Sequence, residues 1–216
     1  LFQSEVPITP EEFDADSWKL NIDNGILDLK TGILKSHSPK EYHSKHAPVT
    51  YMEDAKVTLW NEFLDKIFDC NESLIEFVQK AVGYALTGSV KEHVIFILHG
   101  YGANGKTTFL NVVQALLGSY AQQMPASSLL TKRSESQIPN DIARLKGSRF
   151  VAASETDENR RFSESLIKQL TGGDTISARF LYGEYFDFLP SHKIFLMTNH
   201  KPNINGTDYA IWRRIR

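Results

Sequence analysis

Val94-Ile95-Phe96-Ile97-Leu98-His99-Gly100-Tyr101-Gly102-Ala103-Asn104-Gly105-Lys106-Thr107-Thr108 is the stretch that decides the fold. Its five consecutive apolar residues, 94–98, read as a strand buried on both faces. Gly100, Gly105, Lys106 and Thr107 then satisfy the pattern G-x-x-x-x-G-K-[ST]. Glycines at these positions let backbone N–H groups turn inward around phosphate oxygens. Next, Phe109, Leu110, Val113, Leu116 and Leu117 mark a helix that Gly118 ends. The N-terminus of that helix faces the same anion. A chance match to the pattern in a chain of this length has a probability of roughly one per cent from average residue usage. The strand before and the helix after argue further against a glycine turn with a solvated lysine.

From this loop the sequence predicts an ATP site made by Gly100, Tyr101, Gly102, Ala103, Asn104, Gly105, Lys106, Thr107 and Thr108. Lys106 would reach the β- and γ-phosphates, and the Thr107 hydroxyl would hold Mg2+. Such a site needs an acid on a neighbouring strand. Glu155, at the end of Phe150-Val151-Ala152-Ala153-Ser154, fits as the second metal-site residue, with Asp157 and Glu158 close enough to share the work. Asn199 ends another strand pattern and is placed to bond the γ-phosphate or the attacking water. Arg214 stands beside Arg213 and Arg216, a cluster in which one arginine can complete a neighbouring subunit's site.

Outward from the loop, residues 149–154 and 193–198 read as further strands, and residues 137–145 and 163–170 as helices. Strands separated by helices give an α/β fold, a parallel sheet with helices on both faces. Upstream, an Asn24-Gly25 pair between short alternating runs predicts a hairpin. Two amphipathic helices follow. One carries Trp60, Phe63, Leu64, Ile67 and Phe68; the other carries Leu74, Val78, Ala81, Val82, Ala85 and Leu86, with Gly88 placed to stop it. The expected division is a small mixed α+β module over 1–88 and an ATPase core over 89–216.

Hydrophobic residues make up 41% and charged residues 23% of the 216, as in ordinary globular proteins. No apolar run is long enough to span a bilayer, so no membrane partner is expected. The single cysteine, Cys70, excludes an internal disulfide and a cysteine-rich zinc site, which points to the cytoplasm. A net charge of −2 argues against a basic surface that wraps nucleic acid, though a ring threading a strand needs positive charge only along its pore. The chain begins at Leu1 and ends at Arg216 inside what reads as an active element, so it is expected to be a piece of a longer protein.

In order and spacing these segments resemble the superfamily-three helicases, within them the phage, plasmid and poxvirus-type primase-helicases. The resemblance is carried by residues 102–108, by Leu145-Lys146-Gly147-Ser148-Arg149-Phe150-Val151 and by Ala153-Ser154-Glu155-Thr156. Lys168-Gln169-Leu170-Thr171-Gly172-Gly173-Asp174, Thr198-Asn199-His200-Lys201-Pro202 and Ile211-Trp212-Arg213-Arg214-Ile215-Arg216 extend it. Residues 24–32 look like the module that precedes this ATPase. The resemblance implies an AAA+-like P-loop ATPase that works as a homo-hexameric DNA helicase or translocase on single-stranded or forked DNA during replication. In it Lys106 and Thr107 are the Walker A pair, Glu155 the Walker B acid and Asn199 the sensor. Arg214 is the arginine finger, with Arg213 its nearest rival. It also implies a pore hairpin over residues 176–189, tipped near Tyr182-Gly183-Glu184. This tip lacks the lysine or histidine pair of some relatives, leaving Arg179 and Tyr182 as DNA contacts, through phosphate and base stacking. Full-length relatives carry a primase domain upstream, whose metal-binding carboxylates and zinc ligands are not in this sequence. Two other readings stand beside this one. A small-molecule P-loop kinase would need no arginine in trans, and a non-hydrolysing assembly or DNA-binding fragment would bind ATP without turning it over.

Overall fold

The computed structural model describes residues 8–9, 12–131, 140–154, 161–200 and 209–216. Strands β1 (Lys19–Ile22), β2 (Gly25–Asp28) and β3 (Leu34–Lys35) form a small antiparallel meander. The turn sits one residue earlier than the Asn-Gly signal suggests. Asp23 and Asn24 make it, and Gly25 already pairs with Ile22. Gly25 is required for another reason: its φ is +152°, and a Cβ there would collide with the Lys35 carbonyl of β3.

Helices α1 (Thr58–Ile67) and α2 (Glu72–Leu86) follow. The Asn71 side chain accepts from the Leu74 N–H at 3.1 Å and caps α2. Next come β4 (Ile95–His99), α3 (Lys106–Leu117), β5 (Ala121–Pro125), α4 (Asn140–Ala143), β6 (Phe150–Ser154) and α5 (Glu164–Thr171). The hairpin strands β7 (Ile176–Ala178) and β8 (Phe186–Phe188), then β9 (Lys193–Thr198) and α6 (Tyr209–Trp212), complete the described elements. The helix expected over 137–145 is described only as the short α4, its first three positions lying outside the described residues.

The central sheet is parallel, in the order β4-β9-β6-β5. Residues 214–216 lie parallel along the free edge of β4. Ile95 N–H donates to the Arg214 carbonyl at 2.8 Å, Arg216 N–H to Ile95 at 3.0 Å, and Ile97 N–H to Arg216 at 2.8 Å. One face stacks Phe96, Phe195 and Phe150 across three strands, each adjacent pair of ring centroids 4.6 Å apart. Phe109, Leu110, Val113 and Leu117 of α3 cover this face, and Leu64, Ala81 and Ala85 of α1 and α2 join the same cluster. Apolar packing thus runs across the residue-88 boundary without a break. The other face buries Ile95, Val151, Ala153, Ile194 and Leu196 against α5, Leu129, Ile142 and Ile211. Helices therefore cover both faces, as the sequence pattern predicts. Among the described residues no helix is long and apolar enough to cross a membrane.

Two buried cations fasten the N-terminal ends of the strands to the upstream elements. Arg149 donates to the Leu86 carbonyl at 2.7 Å and the Lys19 carbonyl at 2.6 Å, its guanidinium 4.5 Å over the Tyr120 ring. Lys193 donates to the Thr87, Ser89 and Ser191 carbonyls. Burial, with Arg149 close by, pushes the Lys193 pKa down to about 6, while its three carbonyl acceptors favour the charged form. Both cations meet the negative end of the α2 dipole.

Candidate functional site

In a parallel sheet all strands end at the same edge, and ligands gather there. Because β9 lies between β4 and β6, the residue after β9 falls between the glycine loop and the end of β6. The resulting cavity, about 340 Å³, is lined by residues 102–108, Ser154, Met197 and Asn199. Segments distant in sequence thus converge on one cleft.

Its floor is the loop and the first turn of α3. Gly105 precedes that helix with φ +82°, and a Cβ there would lie 2.5 Å from Ile67 Cγ2. The loop therefore seats directly on α1, which only a glycine permits. Beyond it, the early backbone N–H groups of α3 are without intrahelical acceptors and the helix dipole is positive at this end.

Lys106 turns its ammonium into the loop. It donates to the Gly100 carbonyl at 2.5 Å, the Tyr101 carbonyl at 3.2 Å and Asn104 Oδ1 at 2.9 Å. Partial burial lowers its pKa from the usual lysine value. Thr107 Oγ1 donates to Met197 Sδ at 3.3 Å, joining α3 to β9. Asn199 is exposed at the rim, immediately after the buried Thr198, whose hydroxyl accepts from His200 N–H at 3.1 Å and donates to its carbonyl at 2.7 Å.

Glu155, with Asp157 and Glu158, lies outside the described residues; Ser154, its neighbour in sequence, lines the cavity. Among the described residues no cluster of three His, Cys, Asp or Glu could hold a metal ion. The donor that remains, a threonine hydroxyl at a helix start beside the backbone N–H groups of the glycine loop, suits a hard cation that keeps most of its waters.

The expected hairpin is present as β7 and β8, with Ile176 paired to Phe188 and Ala178 to Phe186. Tyr182 stands at its tip, 99% exposed and with φ +63°. The Arg179 guanidinium does not extend freely; it stacks 4.9 Å over the Tyr185 ring. Tyr185, itself exposed, was missed from sequence, where only its aromatic character next to the tip could have drawn notice. Neither Arg179 nor Tyr182 lines the cavity.

Arg214, expected as the arginine finger, makes its described side-chain contacts within its own chain. It is only 8% exposed, and its guanidinium stays inside its own chain. Nε donates to Thr171 Oγ1 at 3.1 Å, and a terminal nitrogen donates to the Ala210 carbonyl. Its backbone carbonyl accepts from Ile95 N–H at the edge of β4 while its side chain meets the end of α5 at Thr171. Arg213, one residue earlier, is exposed.

Residues 98–214 match a family described as of unknown function, DUF5906, and residues 1–69 match the D5 N terminal like family. The first match covers more than half of the chain. The chain belongs to the DUF5906 family. With its D5-like upstream part, this DUF5906 protein is related to D5-like viral proteins. It is 32% identical over 208 residues to a putative helicase of Acanthamoeba polyphaga mimivirus, covering 94% of this chain and 22% of that protein. A putative primase of African swine fever virus is 25% identical over 215 residues, 95% of this chain and 22% of that protein. The chain thus spans about a fifth of the length of these relatives. In fold it is similar to the C-terminal region of NrS-1, with a TM-score of 0.54, 15% identity, and coverage of 78% of this chain and 38% of that one.

Proposed function

We propose that this chain is the motor part of an ATP-dependent DNA helicase or translocase serving viral, phage or plasmid replication. The observation that carries the reading is the single cleft holding the glycine loop, Thr107, the end of β6 and Asn199. That convergence at one edge of the sheet supports reading the loop as phosphate-binding, Thr107 as metal-binding and Asn199 as water-orienting. The mimivirus relative, a putative helicase, and the African swine fever virus relative, a putative primase, support the same assignment.

The chemistry follows from these residues. The loop N–H groups and Lys106 bind the phosphates, with Lys106 exchanging its three loop acceptors for phosphate oxygens. Thr107 and Glu155 would hold Mg2+, which when bound would supply positive charge beside the phosphates. Glu155, or with it Asp157 or Glu158, polarises the attacking water, and Asn199 orients that water or the γ-phosphate. In a ring, a homo-hexamer by resemblance, an arginine from the next subunit completes the site. Exposure favours Arg213 for this role over Arg214. The hairpin bearing Arg179 and Tyr182 grips single-stranded or forked DNA. A primase domain in the same full-length polypeptide and a cytoplasmic setting belong to the same proposal.

Strand displacement from a forked DNA by the full-length protein, with and without ATP and Mg2+, tests it. ATP-dependent displacement is expected. ATP hydrolysis indifferent to DNA and to protein concentration would favour a small-molecule kinase instead.

A further inference from the structure

The motif Lys168-Gln169-Leu170-Thr171-Gly172-Gly173-Asp174 does not line the nucleotide cavity, yet its threonine is buried and committed. Thr171 Oγ1 donates to the Ile167 carbonyl at 2.6 Å and accepts from Arg214 Nε at 3.1 Å. A hydroxyl has one proton to donate and lone pairs to accept with, so both roles are filled at once. Arg214 in turn reaches the Ala210 carbonyl of α6, while its own backbone carbonyl takes the N–H of Ile95 in β4. One residue therefore joins three things: the end of α5, the body of α6, and the strand that leads into the phosphate loop.

The neighbours of Arg214 show what this strut holds. Ile211 is fully buried among the residues packed on the sheet, anchoring the inner side of α6. Arg213 points away from that anchor and is exposed, in company with Tyr209 and Trp212. Helix α6 is described from Tyr209 to Trp212, and Arg213 follows directly, its N–H donating to the Tyr209 carbonyl at 3.1 Å. Arg214, through Thr171 and the Ala210 carbonyl, ties the residue next to Arg213 to both α5 and α6.

We propose that Arg214 and Thr171 form a positioning strut, which holds the exposed Arg213 in the attitude needed to complete a neighbouring subunit's nucleotide site. This rests on the ring ATPase reading above. Arg214 then acts through Arg213 and does not itself touch the phosphate. The strut gives Thr171 of the α5 motif a role at the site of the next subunit, since Thr171 does not line its own subunit's cavity.

The test uses the full-length protein and the substitutions Thr171→Val, which keeps shape and removes the hydroxyl, and Thr171→Ser, which restores it. A reacting group misplaced by about 1 Å can lose on the order of 10²-fold in rate, so Thr171→Val should lower kcat by about ten- to a hundredfold. Its KM for ATP should stay near wild type, because its own loop is intact. Mixing it with Lys106→Ala subunits should restore activity, since intact loops then meet correctly held Arg213 side chains. Thr171→Ser should behave as wild type. Arginine modification by phenylglyoxal, mapped by mass spectrometry, gives a second readout free of turnover. Arg213 should react and Arg214 be protected in wild type, with Arg214 becoming reactive in Thr171→Val. Arg214→Lys, which keeps charge but loses the Nε contact, should repeat the kcat loss and the rescue if Thr171→Val does not fold.

Full turnover in Thr171→Val, or a loss that Lys106→Ala subunits do not rescue in verified mixed rings, would overturn the strut. So would an active Arg213→Ala beside a dead Arg214→Ala. Absence of any assembly or ATP turnover in the wild-type protein would remove the ring reading itself, a result distinct from these.

Discussion

Thr107 Oγ1 lies 3.3 Å from Met197 Sδ, so the first turn of α3 is joined to β9 through a hydroxyl and a thioether. Sulfur is a weak acceptor, and the hydroxyl loses little by leaving it for a hard cation. Thr107→Val should therefore weaken Mg2+-dependent ATP binding about tenfold or more, on the scale of one lost charge-assisted contact. Met197→Leu should change it by no more than a few-fold. Titration of a fluorescent ATP analogue with and without Mg2+ checks both. Equal losses in the two variants would mean that packing, and not coordination, is what Thr107 provides.

Glu155→Gln keeps the side-chain shape and removes the charge. ATP binding should survive while turnover falls by orders of magnitude, because a neutral amide neither holds Mg2+ nor polarises water as a carboxylate does. Phosphate release and nucleotide binding measured on the same preparation separate the two effects. Retained turnover would transfer the role to Asp157 or Glu158.

The hairpin makes a prediction that separates its residues. Tyr182 stands clear at the tip, and its replacement by Ala should weaken single-strand binding by about 1–3 kcal/mol, the range for a lost base stack. Arg179→Ala should instead make the salt dependence shallower, by about 0.7 in log–log slope for one lost phosphate contact. Because Arg179 rests on Tyr185, Tyr185→Ala should mimic part of the Arg179 defect. Fluorescence anisotropy across several salt concentrations distinguishes these outcomes, and unchanged affinity in all three variants would take the hairpin away from DNA.

His192 gives a pH dependence. It is buried at the start of β9, and burial, with Lys193 adjacent, pushes its pKa down to about 3 from the usual 6.5. Between these values the unfolded chain binds a proton that the folded chain refuses. Stability from this group is thus full above about pH 6.5 and is lost as pH falls towards 3, by as much as several kcal/mol. His192→Leu should flatten that acid limb. Tm measured from pH 7.5 to 4 in both proteins should show the variant gaining on wild type as pH falls; parallel curves would contradict the assignment.

The parts of the fold legible in the sequence are those whose residues speak for themselves. Residues 94–98 and 193–198 are largely apolar on both faces, and the glycine loop has one spacing. Strand β5 escaped notice because Ala121-Gln122-Gln123-Met124-Pro125 is an edge strand that buries only Met124, and so carries no strand pattern. The latches at Arg149 and Lys193 were invisible because a charged residue at a strand start reads as solvated; their acceptors are backbone carbonyls, among them those of Lys19, Leu86, Thr87 and Ser89, which have no sequence signature. The choice between Arg213 and Arg214 was illegible for the same reason. Two adjacent arginines look alike until the pairing of Arg214 with β4 and Thr171 turns one of them inward.

The central claim is that the cleft at the ends of β4, β6 and β9 binds and hydrolyses ATP. The most direct measurement is phosphate release by full-length Lys106→Ala, beside far-UV circular dichroism and thermal melting of the same protein. The Lys106 ammonium bonds within the loop, so the fold and Tm should be close to wild type. Turnover should fall by about 10³-fold or more, the scale on which phosphoryl transfer depends on its positioning cations. Wild-type turnover in a folded Lys106→Ala protein would contradict the account.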